Sequence, residues 1–304
     1  MMKSQSRAFT FAGLTIIFWS TMSSAFKLTL QHINFQELVF LSVWAAAIVL
    51  FLIAFIQGKA SRLFQQSKDG MINSMLMGLV NPIAYYLVLF RAYELLPAQE
   101  AGVLNYSWPV VLVLLSAIFL GQRIGWVGFF SILVSFSGLV VISTKGNVLS
   151  LSFSSPQGVA LAIGSAFLWA TYWILNLRDK RDAVVKLCTN MFFGALYISI
   201  YMLIAGQWRP IPPEGVVGAI YIGLFEMGIT FVLWLLALEN STNTARVSNL
   251  IFLSPFIALF WIRLLVGEEI LLSTIIGLVL IIAGIALQQL KSKAKHVQHQ
   301  YYES

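Results

Sequence analysis

The sequence predicts an all-α, polytopic integral membrane protein of ten transmembrane helices, arranged as two inverted five-helix repeats around a central cavity. Three observations carry that prediction. Charge is scarce, the apolar residues fall in blocks of membrane-spanning length, and a set of polar and helix-breaking landmarks recurs at a nearly constant offset.

Of 304 residues, 59% are hydrophobic and 10% charged, against about 25% charged in an average soluble domain. That is too little charge to coat a water-soluble protein of this length. No charge interrupts residues 8–26, 124–144, 187–208 or 270–290, and each block approaches the ~20 residues a helix needs to cross the hydrocarbon core. Strand-like alternation is absent, and an open sheet would leave backbone N–H and C=O groups facing lipid. The spans read as 8–30, 36–57, 71–94, 98–120, 125–143, 157–177, 185–206, 215–238, 244–266 and 270–290. The first is too long for a signal-peptide core, so it reads as a retained helix.

Loop charges orient the chain. With the N-terminus inside, fourteen of the nineteen Lys and Arg residues fall in inner segments, and only Lys145 and Arg209 fall in outer loops. This bias predicts a multi-pass protein of the cell (inner) membrane with both termini cytoplasmic. The net charge of +7 is then topogenic, and no nucleic-acid partner is implied. Cys188 stands alone, which excludes an intramolecular disulfide.

The recurrence divides the chain. At an offset of 145, Gly78 falls on Gly223, Leu79 on Leu224, Ala92 on Ala237 and Glu94 on Glu239; at 146, Pro109 falls on Pro255, Gly121 on Gly267 and Gly138 on Gly284. Trp19-x-Thr21 matches Trp169-x-Thr171 at 150. The expected units are an N-terminal half over 1–145, a C-terminal half over 155–290, and a basic tail over 291–304 expected to be disordered. Five helices is an odd number, so the second half enters the membrane inverted. In inverted-repeat transporters the solute site lies at the midplane between the halves.

Several candidate site residues share that depth. Pro82, Pro109 and Pro255 are the expected helix breaks, since a mid-span proline removes a backbone hydrogen bond. Glu226 is the candidate proton site: a carboxylate at mid-bilayer must face protein or water, or be protonated. Ser20 and Ser24 lie on a polar stripe of the first span with Ser23 and Lys27, and Trp19 and Thr21 beside it; Ser165, Trp169, Tyr172 and Asn176 form one in the sixth. Trp19, Trp108 and Trp169 are too deep to be interfacial anchors, and with Asn81, Tyr85, Asn105 and Asn249 they are expected to line a pocket for an apolar or aromatic solute. No Walker loop, zincin motif or Cys/His cluster is present, so no metal, cofactor or enzymatic activity is expected.

The stretch Ala92-x-x-Leu95-Leu96-Pro97-Ala98, followed by Val103-Leu104, Trp108-Pro109-Val110 and Gly121-Gln122-Arg123, with Gly267-Glu268-Glu269 as a second copy of the turn, resembles the EamA-like branch of the drug/metabolite transporter superfamily. Phe18-Trp19-Ser20-Thr21-Met22 and Glu100-x-Gly102-x-x-Asn105-Tyr106-x-Trp108-Pro109 are similar to the YddG-type aromatic amino-acid exporters. The resemblance implies ten helices, a central cavity, and export of amino acids or related metabolites by alternating access. The match reaches Trp19, Ser20, Thr21, Asn105, Tyr106, Trp108 and Trp169. Gln122 departs from the acid of the family turn. The expected partners are a small-molecule solute, the bilayer and protons, with the protein a monomer; a multidrug or other metabolite carrier, or a facilitator without ion coupling, is the alternative.

Overall fold

A computed structural model describes residues 4–108, 110–111, 114–115, 118, 126–149, 155–206, 210–241, 247 and 250–302, with side chains except at 177, 239 and 288–302. Among the described residues every regular element is helical. The long helices are α1 (Gln5–Thr29), α2 (Phe35–Ile56), α3 (Lys68–Leu95), α4 (Ala98–Asn105), α5 (Trp126–Ser143), α6 (Pro156–Arg178), α7 (Ala183–Ala205), α8 (Pro213–Leu238), α9 (Ile251–Val266) and α10 (Leu272–Tyr302). Seven of the described helices are long and apolar enough to cross a membrane.

Their ends follow local chemistry. Asn34 and Glu37 form a reciprocal capping box at the start of α2, with N–H to oxygen distances of 2.9 Å each way. Ser155 caps α6 ahead of Pro156, and Asp182 caps α7 by accepting from Val184 N and Val185 N. Gly206 and Gly267 end α7 and α9 in the left-handed conformation at φ 62° and 78°.

Three departures from the sequence reading have physical causes. The fourth predicted span, 98–120, turns at Tyr106–Ser107 after α4. A short helix, Ala60–Phe64, occupies the link between α2 and α3. The basic tail, expected to be disordered, continues α10 to Tyr302, because Lys, Ala, Gln and His form helix without a Gly or Pro to stop it.

Two helices break in mid-course. In α3 the ladder is interrupted over Leu79–Ala84, where Asn81 is extended (φ −145°, ψ 116°) ahead of Pro82; proline pushes its predecessor out of the helical region and cannot donate. In α8 the break is Gly223–Gly228, with Gly228 at φ −102°, ψ −96°.

Packing runs in exchanged pairs. α1 lies along α8 and α3 along α6; α2 packs on α7 and α5 on α10; α1 meets α9 and α6 meets α4. Glycine permits the closest approaches. A Cβ on Gly138 would sit 2.5 Å from Gly277 O, and one on Gly277 2.7 Å from Gly138 O, so α5 and α10 touch backbone to backbone. Gly78 likewise abuts Asn190 O on α7, and Gly223 abuts Ser42 O on α2.

The α6–α7 link clamps to the α2–α3 region. Lys59 pairs with Asp182 at 2.9 Å; Arg181 pairs with Asp179 at 2.6 Å, donates to Ser74 and touches Gln66. Asn73 Nδ2 donates to Asp179 at 2.9 Å. Burial raises the Asp179 carboxyl, but the hydrogen bonds and charge of Arg181, with Lys186 behind, outweigh it and hold the group below its ordinary range.

Two outcomes follow. Gly138→Val should lower stability by about 1–3 kcal/mol, seen as a fall in Tm of the detergent-purified protein, while Gly164→Ala, where a Cβ meets nothing within 4 Å, should leave it unchanged or raised. Because Asp179 titrates lower folded than unfolded, the clamp's stabilisation is present above about pH 4 and is lost as pH falls through the depressed value. A Tm–pH series should therefore show a shallower acid limb for Asp179→Asn.

Candidate functional site

A cavity of about 570 Å³ opens between α1, α3, α4, α6, α8 and α9. Its walls are mostly aromatic, and five of the nine tryptophans of the sequence line it: Trp19, Trp108, Trp169, Trp173 and Trp234. Trp19 packs edge-on against Phe231 at 6.1 Å and tilts over Trp234 at 5.9 Å. Trp169 lies over Tyr85 at 4.8 Å, with Trp173 5.9 Å away. Such pairs hold each other's rings at fixed angles and leave rigid faces for a flat apolar body.

The polar groups are few and already oriented. The α8 break brings Glu226 to the wall, where Tyr86 Oη donates to Oε1 at 3.2 Å. The carbonyls of that break are taken up by side chains: Trp19 Nε1 donates to Glu226 O at 3.4 Å, and the Thr230 hydroxyl to Phe225 O. Asn105 Nδ2 donates to Ser165 Oγ at 2.8 Å while its Oδ1 accepts from Tyr85 Oη at 3.4 Å. The Tyr106 hydroxyl donates to Ile251 O, joining α4 to α9. Among the described lining residues Glu226 is the one carboxylate, and none is Lys, Arg or His.

One end of the cavity, at Ala98 and Gln99, is roofed by the α9–α10 turn. Glu268 accepts from Ala98 N at 2.7 Å and Gln99 N at 3.2 Å, capping α4 from a distant part of the chain. Gln99 completes the roof through Glu269 O, Leu271 N and Thr274 Oγ1. Lys27 Nζ satisfies the other side of the same hairpin, donating to Tyr93 O at 2.9 Å and Leu96 O at 2.7 Å.

Of the residues singled out in the sequence, Trp19, Tyr85, Asn105, Trp108, Trp169, Glu226 and Pro255 reach the cavity wall. Five do not, and each goes elsewhere for a reason. Ser20 is fully buried and donates to Ile17 O at 2.7 Å. Thr21 bonds Phe18 O and the Tyr221 hydroxyl. Ser24 is buried in the α1 packing face. Asn81 is fully buried at the α3 break beside Pro82, which packs on Gly194 of α7. Tyr172 borders a separate, smaller void. Hydroxyls that bond back one turn do not need a wet face, so the polar stripe of α1 was satisfied locally. Asn249 and Pro109 lie outside the described residues. The wall also includes Phe26, Tyr93, Trp173 and Trp234. Three of them lie at helical spacing from residues already singled out: seven residues on from Trp19, eight from Tyr85 and four from Trp169.

Comparison with known proteins places this geometry. The model of the EamA-like transporter family matches residues 7–144 and again 156–288. A protein of Clostridium kluyveri named an uncharacterized transporter is 25% identical over 289 residues, covering 91% of each chain. The aromatic amino acid exporter YddG of Ancylobacter novellus is 26% identical over 161 residues, 52% of this chain and 55% of that one. A probable terminal-alkyne amino-acid exporter of Streptantibioticus cattleyicolor is 25% identical over 276 residues, 90% of each. A solved crystal structure superposes with a TM-score of 0.68 over 95% of this chain and 100% of its own, at 20% identity, and shares the fold.

The roof yields a prediction. In a Cys188→Ser background, Glu268→Ala removes two charge-assisted bonds of about 1.5–3 kcal/mol each. Labelling of Ser23→Cys in the cavity by a membrane-impermeant thiol reagent should then accelerate by about tenfold or more.

Proposed function

We propose that this chain, which belongs to the EamA-like transporter family, exports amino acids or closely related metabolites with an aromatic or large apolar side chain by alternating access. It is a transporter and not an enzyme, and it is a multi-pass membrane protein. The observation that carries the reading is the cavity itself: rigid indole and phenol faces around one carboxylate, between helices that pack in exchanged pairs. The named relatives that export an aromatic amino acid and a terminal-alkyne amino acid support the solute class.

In this mechanism residues 1–145 and 155–290 act as two inverted halves in the cell membrane of a monomer, with both termini in the cytoplasm. The solute's apolar body sits among Trp19, Tyr85, Trp108 and Trp169, and Asn105 fixes its orientation. Glu226 exchanges a proton for the solute, since a carboxylate at this depth is stable only when neutral or paired. The halves rock between two closures, one made by the Glu268 roof and the other by the α6–α7 clamp.

A second reading has its own observation. One acid and no base among the described lining residues also suits an organic cation over aromatic faces, as in a multidrug carrier. Uptake of labelled tryptophan, threonine and a cationic dye into proteoliposomes separates the two. With the exporter reading, tryptophan moves, a pH gradient drives its accumulation, and Glu226→Gln abolishes that drive. Dye transport without tryptophan transport would favour the second reading. Tryptophan transport indifferent to the gradient makes the protein a facilitator.

A further inference from the structure

A second set of buried polar groups lies behind the cavity wall. Tyr172, Asn176 and Lys186 border a void of about 10 Å³, close to the space one water needs. Tyr172 and Asn190 are wholly buried, and neither the Tyr172 hydroxyl nor either amide atom of Asn190 has a hydrogen-bond partner. Buried polar groups are rarely left so unless something fills the gap. The Asn190 and Asn176 amides still act on the Tyr172 hydroxyl, so they face it across a distance that one water would bridge.

These groups connect two places already described. Toward the bilayer centre, Tyr172 lies within electrostatic range of Tyr86, whose hydroxyl donates to Glu226 Oε1. Toward the α6–α7 link, Lys186 Nζ donates to Asn176 O at 3.1 Å and Asp179 O at 2.9 Å. The series Glu226, Tyr86, Tyr172, Asn176 with Asn190, and Lys186 thus runs from the α8 break to the charged clamp. Of these, only Glu226 lines the solute cavity.

We infer that this series is a water-holding proton path, separate from the solute route, connecting Glu226 to the side of the membrane that bears the α6–α7 link. The inference rests on the proton role of Glu226 proposed above. A proton leaving the Glu226 carboxyl passes to the Tyr86 hydroxyl oxygen as Tyr86 releases its own to the water at Tyr172. The water in turn hands one on toward Asn176 and Lys186, so one proton is transferred and each intermediate group is restored. The groups facing Glu226 fit a proton stop. From α3 they are Tyr85, Tyr86 and Tyr93, and from α1 the Trp19 indole. From α2 the break meets Ser42, Ala45 and Ala46, none of them ionisable.

The test uses proteoliposomes with labelled tryptophan outside, a pH-sensitive dye inside, and wild type, Glu226→Gln, Tyr172→Phe and Asn190→Leu. Tyr172→Phe and Asn190→Leu should slow gradient-driven accumulation and the coupled proton flux by about tenfold or more, while gradient-free exchange of tryptophan stays within about twofold. Radiolytic hydroxyl-radical footprinting of the wild-type protein supplies a second readout, since a bound water leads to oxidation of Tyr172 despite its burial. A gradient response lost in Glu226→Gln but retained in Tyr172→Phe overturns the path and leaves the Glu226 reading standing. A wild type that ignores the gradient overturns both. Should the variants lose exchange as well, footprinting decides, and an unlabelled Tyr172 overturns the path.

Discussion

Hydrocarbon offers a backbone no hydrogen-bond partner, and this constraint governs the architecture. A helix crosses at little cost because it satisfies itself; a broken helix must find substitutes inside the protein. Both breaks here do so differently. In α8 the carbonyls of Phe225 and Glu226 are met by Thr230 and the Trp19 indole. The same turn that frees those carbonyls swings Glu226 toward Tyr86 and the cavity. The α3 break is backed by α7, whose Gly194 leaves room for the Pro82 ring. The cavity therefore exists because two helices are interrupted, and the interruptions are tolerated because neighbours close over them.

Association between helices in lipid gains little from hiding apolar surface, so it relies on close fit. The glycines supply that fit where it counts. Gly138 with Gly277 locks α5 to α10, while Gly78 and Gly223 let the broken helices press on α7 and α2. These contacts are rigid. The polar ties at the two ends of the helices are different in kind: Glu268 on the start of α4, and Arg181, Asp179 and Lys59 around the α6–α7 link. Charge-assisted bonds at an aqueous boundary can be exchanged for water at modest net cost. A body with dry, close-packed seams and wet, exchangeable end ties is built to rock as units.

The fold was legible because it is written in quantities that sum over many residues. Span length, scarcity of charge and the lopsided placement of Lys and Arg each average over dozens of positions, and most of the spans fall within a few residues of the helices. The site was legible only in part. Trp19, Trp169 and Glu226 stood out because their chemistry is costly or odd at their depth. Ser20 and Ser24 were misread because a serine can satisfy itself on its own helix, and the sequence does not say when it has. Tyr172 has the right depth and spacing, yet α6 turns it away from the solute cavity, as packing between α3 and α6 decides. The reach of Glu268 and Gln99 across about 170 positions was invisible for the same reason. No local pattern announces a partner that distant.

Charge accounting ties the proposed solute to the proposed proton. An amino acid brings an ammonium and a carboxylate, while the described wall offers one acid and no base. With Glu226 ionised, the ammonium gains a partner and the solute carboxylate is left to neutral donors. With Glu226 protonated, the cavity holds no formal charge at all, and the zwitterion must be held by its apolar body and by hydroxyl, amide and indole groups. Low dielectric makes the difference between those two loads large. Solute binding and proton binding therefore compete for the same site, and competition at one site is enough to couple them. No separate signal between distant elements is required: a half that releases its solute on one side recovers a proton from whichever side its carboxylate then faces.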